Sequence, residues 1–274
     1  VQASKGVKPL VMLTAYDAPT GRIADAAGVD VILVGDSLGM VVLGYEDTLR
    51  VDVDDMVRHT AAVSRVQPRA LLVADMPYLS YHTGERDAVL SAGRLIREGH
   101  AEAVKLEGGS RRLPAVRALV DAEIPVMGHL GLTPQSLHRM GGYRVQARVA
   151  QQIEELFADA KALEEAGVFS LVLEGVPEEV AAEVTREVSV PTIGIGAGSA
   201  CDGQVLVFHD LLGLDDRPVP KFVRQYDSLG ERAVEAVRRF ADDVRERSFP
   251  SRRESYRLPR EAADALGRRR NSQG

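Results

Sequence analysis

Five residues that can carry a charge or move a proton stand at the ends of five apolar runs. Asp36 follows Val31-Ile32-Leu33-Val34, and Asp75 follows Leu71-Leu72-Val73-Ala74. Glu107 closes Ala103-Val104-Lys105-Leu106, His129 closes Val126-Met127-Gly128, and Glu174 closes Leu171-Val172-Leu173. One acid at the end of a strand is as readily a helix cap or a turn former. Five such groups at equivalent points are not explained by packing. Carboxylates brought together repel at neutral pH, so either protons or a cation must settle among them. Oxygen donors without a cysteine or histidine cluster suit magnesium or manganese better than zinc. Lys105 lies two residues before Glu107, so on a strand both side chains point the same way. A buried ammonium needs an anion. A carboxylate partner and an anionic substrate are both open as that anion.

The elements that would position these groups follow one grammar. A short apolar run bounded by turn residues reads as a buried strand of a parallel sheet. Helical stretches alternate with these runs: Ala18 to Ala27, Asp52 to Arg65, Arg86 to Glu98, Arg148 to Ala166 and Glu178 to Val188. Ser110 is the expected cap of a helix running to Ala122. A first strand is expected at Leu10 to Thr14, a seventh at Thr192 to Ile195 and an eighth at Val205 to Phe208. Eight strand–helix units without a compositional break predict an α/β fold of the (β/α)8 TIM barrel type in one domain. In such barrels the strand ends on the C-terminal face carry the chemistry. Three long connections, Gly39 to Gly44, Met76 to Gly84 and His129 to Gly142, fall on that face, where long loops serve function. Gly194 to Gly198 (GIGAG) allows a phosphate nest or a close backbone approach.

The totals narrow the class. With 274 residues, 45% hydrophobic and 27% charged, the chain can build a sizeable core. A net charge of −6 argues against a nucleic-acid partner. The single cysteine, Cys201, excludes an internal disulfide and a multi-cysteine zinc site, and reads as structural. No apolar run approaches the roughly 20 residues of a membrane span, and no charged-then-apolar leader opens the chain. No membrane association and cytoplasmic residence are expected. The catalytic domain is expected to occupy residues 1–250. The arginine-rich stretch 251–274 is expected as an exposed C-terminal extension, with a short helix around Glu261 to Leu266.

The motifs themselves carry a resemblance. They are MLTAYDAP (Met12 to Pro19), VGDSLGMVVLGY (Val34 to Tyr45), VADMPYLSY (Val73 to Tyr81) and AVKLEGG (Ala103 to Gly109). PVMGHLGLTPQS (Pro125 to Ser136), GGYRVQ (Gly141 to Gln146), LVLEGVP (Leu171 to Pro177), IGIGAG (Ile193 to Gly198) and DGQVLVFHDLLG (Asp202 to Gly213) follow in order. With them the chain closely resembles the ketopantoate hydroxymethyltransferases. The resemblance implies a Mg2+-dependent barrel enzyme of pantothenate synthesis that moves a one-carbon unit from 5,10-methylenetetrahydrofolate to 3-methyl-2-oxobutanoate. It implies Asp36, Asp75 and Glu107 as the metal site and Glu174 as the catalytic base. Asp36, Ser37, Asp75, Lys105 and His129 would contact the substrate. It also implies a homo-oligomer, commonly a decamer. Two departures stand out: Gly175 where many relatives carry cysteine, and a loosely matching FPSRRESY at Phe249 to Tyr256. A Mg2+-dependent carbon–carbon lyase or phosphonomutase-like barrel is the competing reading. It requires a cysteine near the site, and Cys201 is the one candidate.

Overall fold

The computed structural model describes residues 1–271. The chain folds as two compact units, Val1–Asp227 and Ser228–Gly274. The first holds a closed parallel barrel of eight strands in sequence order. They are β1 (Leu10–Thr14), β2 (Val31–Val34), β3 (Leu71–Asp75), β4 (Ala103–Glu107), β5 (Val126–Gly131), β6 (Ser170–Glu174), β7 (Thr192–Ile195) and β8 (Gly203–Leu206). The helices of this unit are α1 (Ala18–Ala26), α2 (Leu38–Val41), α3 (Val53–Ser64), α4 (Glu85–Arg97), α5 (Leu113–Asp121), α6 (Leu137–Met140), α7 (Ala150–Glu165), α8 (Glu178–Glu187) and α9 (Phe208–Leu212). The second unit holds α10 (Leu229–Arg245) and α11 (Arg260–Asn271). The expected (β/α)8 barrel is therefore the fold.

Strand alternation explains why the chemistry gathers at one end. Successive side chains of a strand point to opposite faces. Leu10, Met12, Val31, Leu33, Val73, Ala103, Met127, Val172, Ile193 and Val205 form one buried cluster inside the barrel. Two residues beyond Val73, Met127 and Val172, on the same face, come Asp75, His129 and Glu174. Ala103 is followed on its face by Lys105 and then Glu107. The opposite parity, with Ile32, Leu72, Val104, Leu106 and Leu171, packs against the helices in a second, larger core. An apolar plug thus fills the barrel's floor, and an ionisable layer lies above it at the C-terminal mouth.

Local sequence sets the helix boundaries. Asp17 and Asp52 each form a capping box, with Thr20 and Asp55 respectively, so α1 and α3 start where the sequence predicts. Gly28 follows α1 at φ +79°, a conformation glycine adopts without strain. Three expectations are corrected. Ser110 does not cap α5; a 3-10 turn at Ser110–Arg112 intervenes, and the Ser110 amide and hydroxyl both donate to Asp159 on α7. The eighth strand runs Gly203–Leu206, two residues earlier than expected, because Phe208 opens α9 and its amide donates to Thr14 Oγ1. The Gly39 to Gly44 loop is partly helical, as α2. The two compact units divide after Asp227, and α10 buries none of its residues. Residues 251–264 are all exposed, and the helix expected at Glu261 to Leu266 lies within α11.

One surface carboxylate makes the barrel wall acid-sensitive. Glu164 on α7 accepts from both the amide and the hydroxyl of Ser189 at 2.5 Å, and its other oxygen meets Lys161 at 2.7 Å. Partial burial pushes its proton affinity up, but Lys161 and Ser189 outweigh this and hold its pKa at about 2. Because the folded value lies below the unfolded 4.5, this stabilisation is complete above pH 4.5 and is lost as pH falls towards 2. Glu164→Gln is expected to cost about 1 kcal/mol at pH 7, a figure reduced for solvent screening. Wild type and variant should converge near pH 2.5. Urea titrations at both pH values check this; a gap of equal size at both would exclude it.

Candidate active site

Strand register brings the ionisable residues into contact in pairs. β3 and β4 align Asp75 with Lys105, and β4 and β5 align Glu107 with His129. Lys105 Nζ accordingly lies 2.7 Å from Asp75 Oδ1, with the lysine side chain only 6% exposed. His129 places Nδ1 at 3.4 Å from Glu107 Oε1 and Nε2 at 3.1 Å from Glu174 Oε2. The second contact is off the line of a hydrogen bond, so it is an ion pair rather than a directed bond. Asp36, two residues past β2, donates its amide to Asp75 Oδ2 at 3.1 Å. Ser37 Oγ lies 2.9 Å from the Tyr16 hydroxyl. A Cβ at Gly35 would fall 2.8 Å from Ser37 Oγ and 3.4 Å from Asp75 Oδ2, so a larger residue there would displace the Ser37 hydroxyl. Every site residue expected from the sequence is at this mouth.

The electrostatics follow from burial without solvent. Burial works against the Lys105 cation, yet Asp75, Glu107 and Asp36 together hold it charged, above the ordinary lysine range. Burial and Lys105 also oppose a charged His129, but Glu107 and Glu174 outweigh them and raise its pKa to about 9. Nδ1 is 3.3 Å from Lys105 Nζ as well; with both groups charged, only the Glu107 contact attracts. Burial, then the neighbouring Asp75 and Glu107, push the Asp36 carboxyl well above the usual carboxylate range, against the pull of Lys105 and Gln135. With Asp36 also ionised, as a bound cation would require, four carboxylates face two cations, Lys105 and His129. Two negative charges remain uncompensated.

That balance is the test for a metal. Among the described residues, no three His, Cys, Asp or Glu groups already stand in a ligating array. The reason is local: Lys105 takes Asp75 Oδ1, and Gln135 Nε2 takes Asp36 Oδ2. The donors are nonetheless all hard oxygens, and their uncompensated charge equals that of one divalent cation. The residues fit magnesium.

Sequence reasoning missed three residues here. Gln135, Tyr81 and Tyr16 are buried and bonded into the site. Gln135 and Tyr81 lie in loops, where no periodicity marks a buried polar side chain, although all three sit inside the recognised motifs. The GIGAG stretch is a close backbone approach. A Cβ at Gly194 would meet Cys201 and Gln204 at 3.1 Å, and the Gly198 carbonyl accepts from Gln204 Nε2. Cys201 itself is buried against β7 near Thr185, Thr192 and Gly194, in the core between barrel and helices rather than in the ionisable layer. The cysteine that the lyase reading needs is not at the mouth.

A closed (β/α)8 barrel with a buried ionisable layer at its C-terminal mouth defines a barrel enzyme. Residues 1–252 match the family described as ketopantoate hydroxymethyltransferase, and the chain belongs to that family. It is 58% identical over 258 residues to the 3-methyl-2-oxobutanoate hydroxymethyltransferase of Koribacter versatilis (strain Ellin345), covering 94% of this chain and 88% of the relative. It is 59% identical over 248 residues to that of Moorella thermoacetica (strain ATCC 39073 / JCM 9320), covering 90% and 92%. Among solved structures, a 2,3-dimethylmalate lyase of the PEP mutase/isocitrate lyase superfamily superposes with a TM-score of 0.60 at 18% identity, covering 100% of this chain and 97% of that one. At that identity the likeness is one of fold. No described helix is long and apolar enough to cross a membrane.

Proposed function

We propose that this enzyme transfers a hydroxymethyl group from 5,10-methylenetetrahydrofolate to 3-methyl-2-oxobutanoate, giving 2-dehydropantoate for pantothenate synthesis. The observation that carries the reading is the pairing at the mouth, in a chain of this family: Lys105 against Asp75, and His129 between Glu107 and Glu174. Asp36, Asp75 and Glu107 would hold Mg2+, which when bound supplies Lewis-acid polarisation of a keto oxygen. Lys105 offers a positive charge to the substrate carboxylate, and Ser37 a hydroxyl beside it. Glu174 removes the proton from C3 of the oxo acid. His129, charged at neutral pH, lies 3.1 Å from the Glu174 carboxylate and holds it in place. C3 then bonds to the methylene carbon of the folate, water supplies the hydroxyl, and tetrahydrofolate leaves. The homo-oligomer, with ten subunits implied by the resemblance, belongs to the same proposal; sedimentation velocity tests it.

The deciding experiment follows exchange of the C3 proton of 3-methyl-2-oxobutanoate in D2O, with and without Mg2+, together with product formation when the folate is added. Exchange that depends on Mg2+ and product that depends on folate are expected. Exchange without product would remove the transferase reading. Absence of both would remove the substrate as well. Asp36→Ala is expected to weaken Mg2+ binding at least about tenfold, the effect typical of disturbing a metal site. Calorimetric titration measures it, and unchanged affinity would end the ligand role of Asp36.

A further inference from the structure

Gln135 is the buried polar residue that touches most of the acidic layer without belonging to it. It sits in a 3-10 turn, Pro134–Ser136, just beyond β5, and is 5% exposed. A glutamine side chain has two N–H donors and one carbonyl acceptor. Here all are engaged. Nε2 donates to Asp36 Oδ2 at 2.8 Å and to the Met76 carbonyl at 2.9 Å. Oε1 accepts from the Tyr81 hydroxyl at 2.6 Å. The backbone amide of the same residue donates to Glu107 Oε2 at 2.9 Å. Tyr81 completes the circuit, since its hydroxyl oxygen accepts from the Glu107 amide at 3.2 Å.

The orientation of this amide is fixed by its neighbours. A flipped Gln135 would set its carbonyl oxygen against the Asp36 carboxylate and the Met76 carbonyl, while its N–H groups faced the Tyr81 hydroxyl. Tyr81 and Met76 therefore act together to keep the donor end on Asp36. Other residue types would serve poorly. A carboxylate here would add repulsion to a layer already short of positive charge. A lysine would halve the charge deficit that favours a divalent cation. A neutral double donor grips one oxygen of Asp36 and, through its own backbone, one oxygen of Glu107. The second oxygen of each carboxylate is left outside the Gln135 network.

We propose that Gln135 is a positioning residue that aligns Asp36 and Glu107 for a divalent cation, with Tyr81 locking its amide. The inference rests on the reading of Asp36, Asp75 and Glu107 as the metal site. Partners that orient metal ligands from behind typically change metal affinity by about 10–100-fold when removed. The test is titration calorimetry with Mg2+ on wild type, Gln135→Met and Tyr81→Phe. Methionine keeps the length and volume of glutamine and removes its polar atoms. Gln135→Met is expected to weaken Mg2+ binding by about 10–100-fold, and its activity at low Mg2+ should recover as the metal is raised. Tyr81→Phe, which frees the amide without removing it, should weaken binding in the same direction by a smaller factor. The double variant should be no weaker than Gln135→Met, because the two residues act as one unit. Wild-type affinity in Gln135→Met, or an activity deficit that excess Mg2+ does not relieve, would overturn the proposal. Should Gln135→Met fail to fold, unchanged affinity in Tyr81→Phe overturns it equally. No Mg2+ binding by wild type, or none lost in Asp36→Ala, would instead overturn the underlying metal-site reading.

Discussion

Glu174→Gln is expected to slow C3 proton exchange of 3-methyl-2-oxobutanoate by about 10²–10⁴-fold, the usual contribution of a positioned general base. The variant keeps the shape of the side chain and loses only its basicity. The backbone around it is clamped on both sides: the Glu174 carbonyl accepts from the Leu132 amide at 2.8 Å, and the Gly175 amide donates to Ile195 at 2.9 Å. Fold and Mg2+ affinity should therefore survive. The loss should appear equally in kcat and kcat/KM, as for a group needed only in the transition state. Glutamine also removes one of the two anions that keep His129 charged, so the His129 pKa should fall from about 9. NMR titration of the imidazole follows that shift. Equal exchange rates in the two proteins would remove Glu174 as the base.

Lys105→Met should give the largest loss of stability of any single change at the mouth. The ammonium is 6% exposed and touches Asp75 at 2.7 Å, with Glu107 and Asp36 also contributing to its charge state. Removing one partner of a buried pair leaves the other unpaired and costs about 3–5 kcal/mol. For a protein of this size that corresponds to a drop in Tm of roughly 6–20 °C. Excess Mg2+ should restore part of the loss, because a bound cation replaces positive charge in the same layer. Scanning calorimetry with and without Mg2+ measures both effects. A Tm unchanged in the absence of metal would show that the carboxylates do not depend on Lys105.

The barrel was legible because eight apolar runs alternate with helical stretches without a compositional break. Four of the five site residues were legible for a related reason: each continues the inward parity of its strand, so a residue two places beyond a plug residue must face the mouth. Asp75, His129 and Glu174 follow this rule. Asp36 does not, since it lies beyond β2 on a turn; the apolar run that ends beside it, not strand alternation, marked its place. Gln135 and Tyr81 were hidden for the same physical reason. In a loop, burial is set by tertiary neighbours rather than by period, so composition gives no signal. The start of α5 was misplaced because Asp159, forty-nine residues further along the chain, claims the Ser110 side chain that would otherwise have capped it. A Cβ at Gly109 would overlap that same carboxylate, so this docking contact also dictates the residue before Ser110.

The seclusion of Cys201 has a practical side. The chain has a single thiol, 8% exposed, set against the backbone of Gly194 and outside the ionisable layer. Burial raises its pKa, so the reactive thiolate is scarce at neutral pH. Alkylating reagents should leave the native protein unmodified. A cysteine engineered at an exposed rim position such as Leu79 or Tyr143 would then be the one group to take a fluorophore or spin label, reporting on the mouth during turnover without first removing the native thiol.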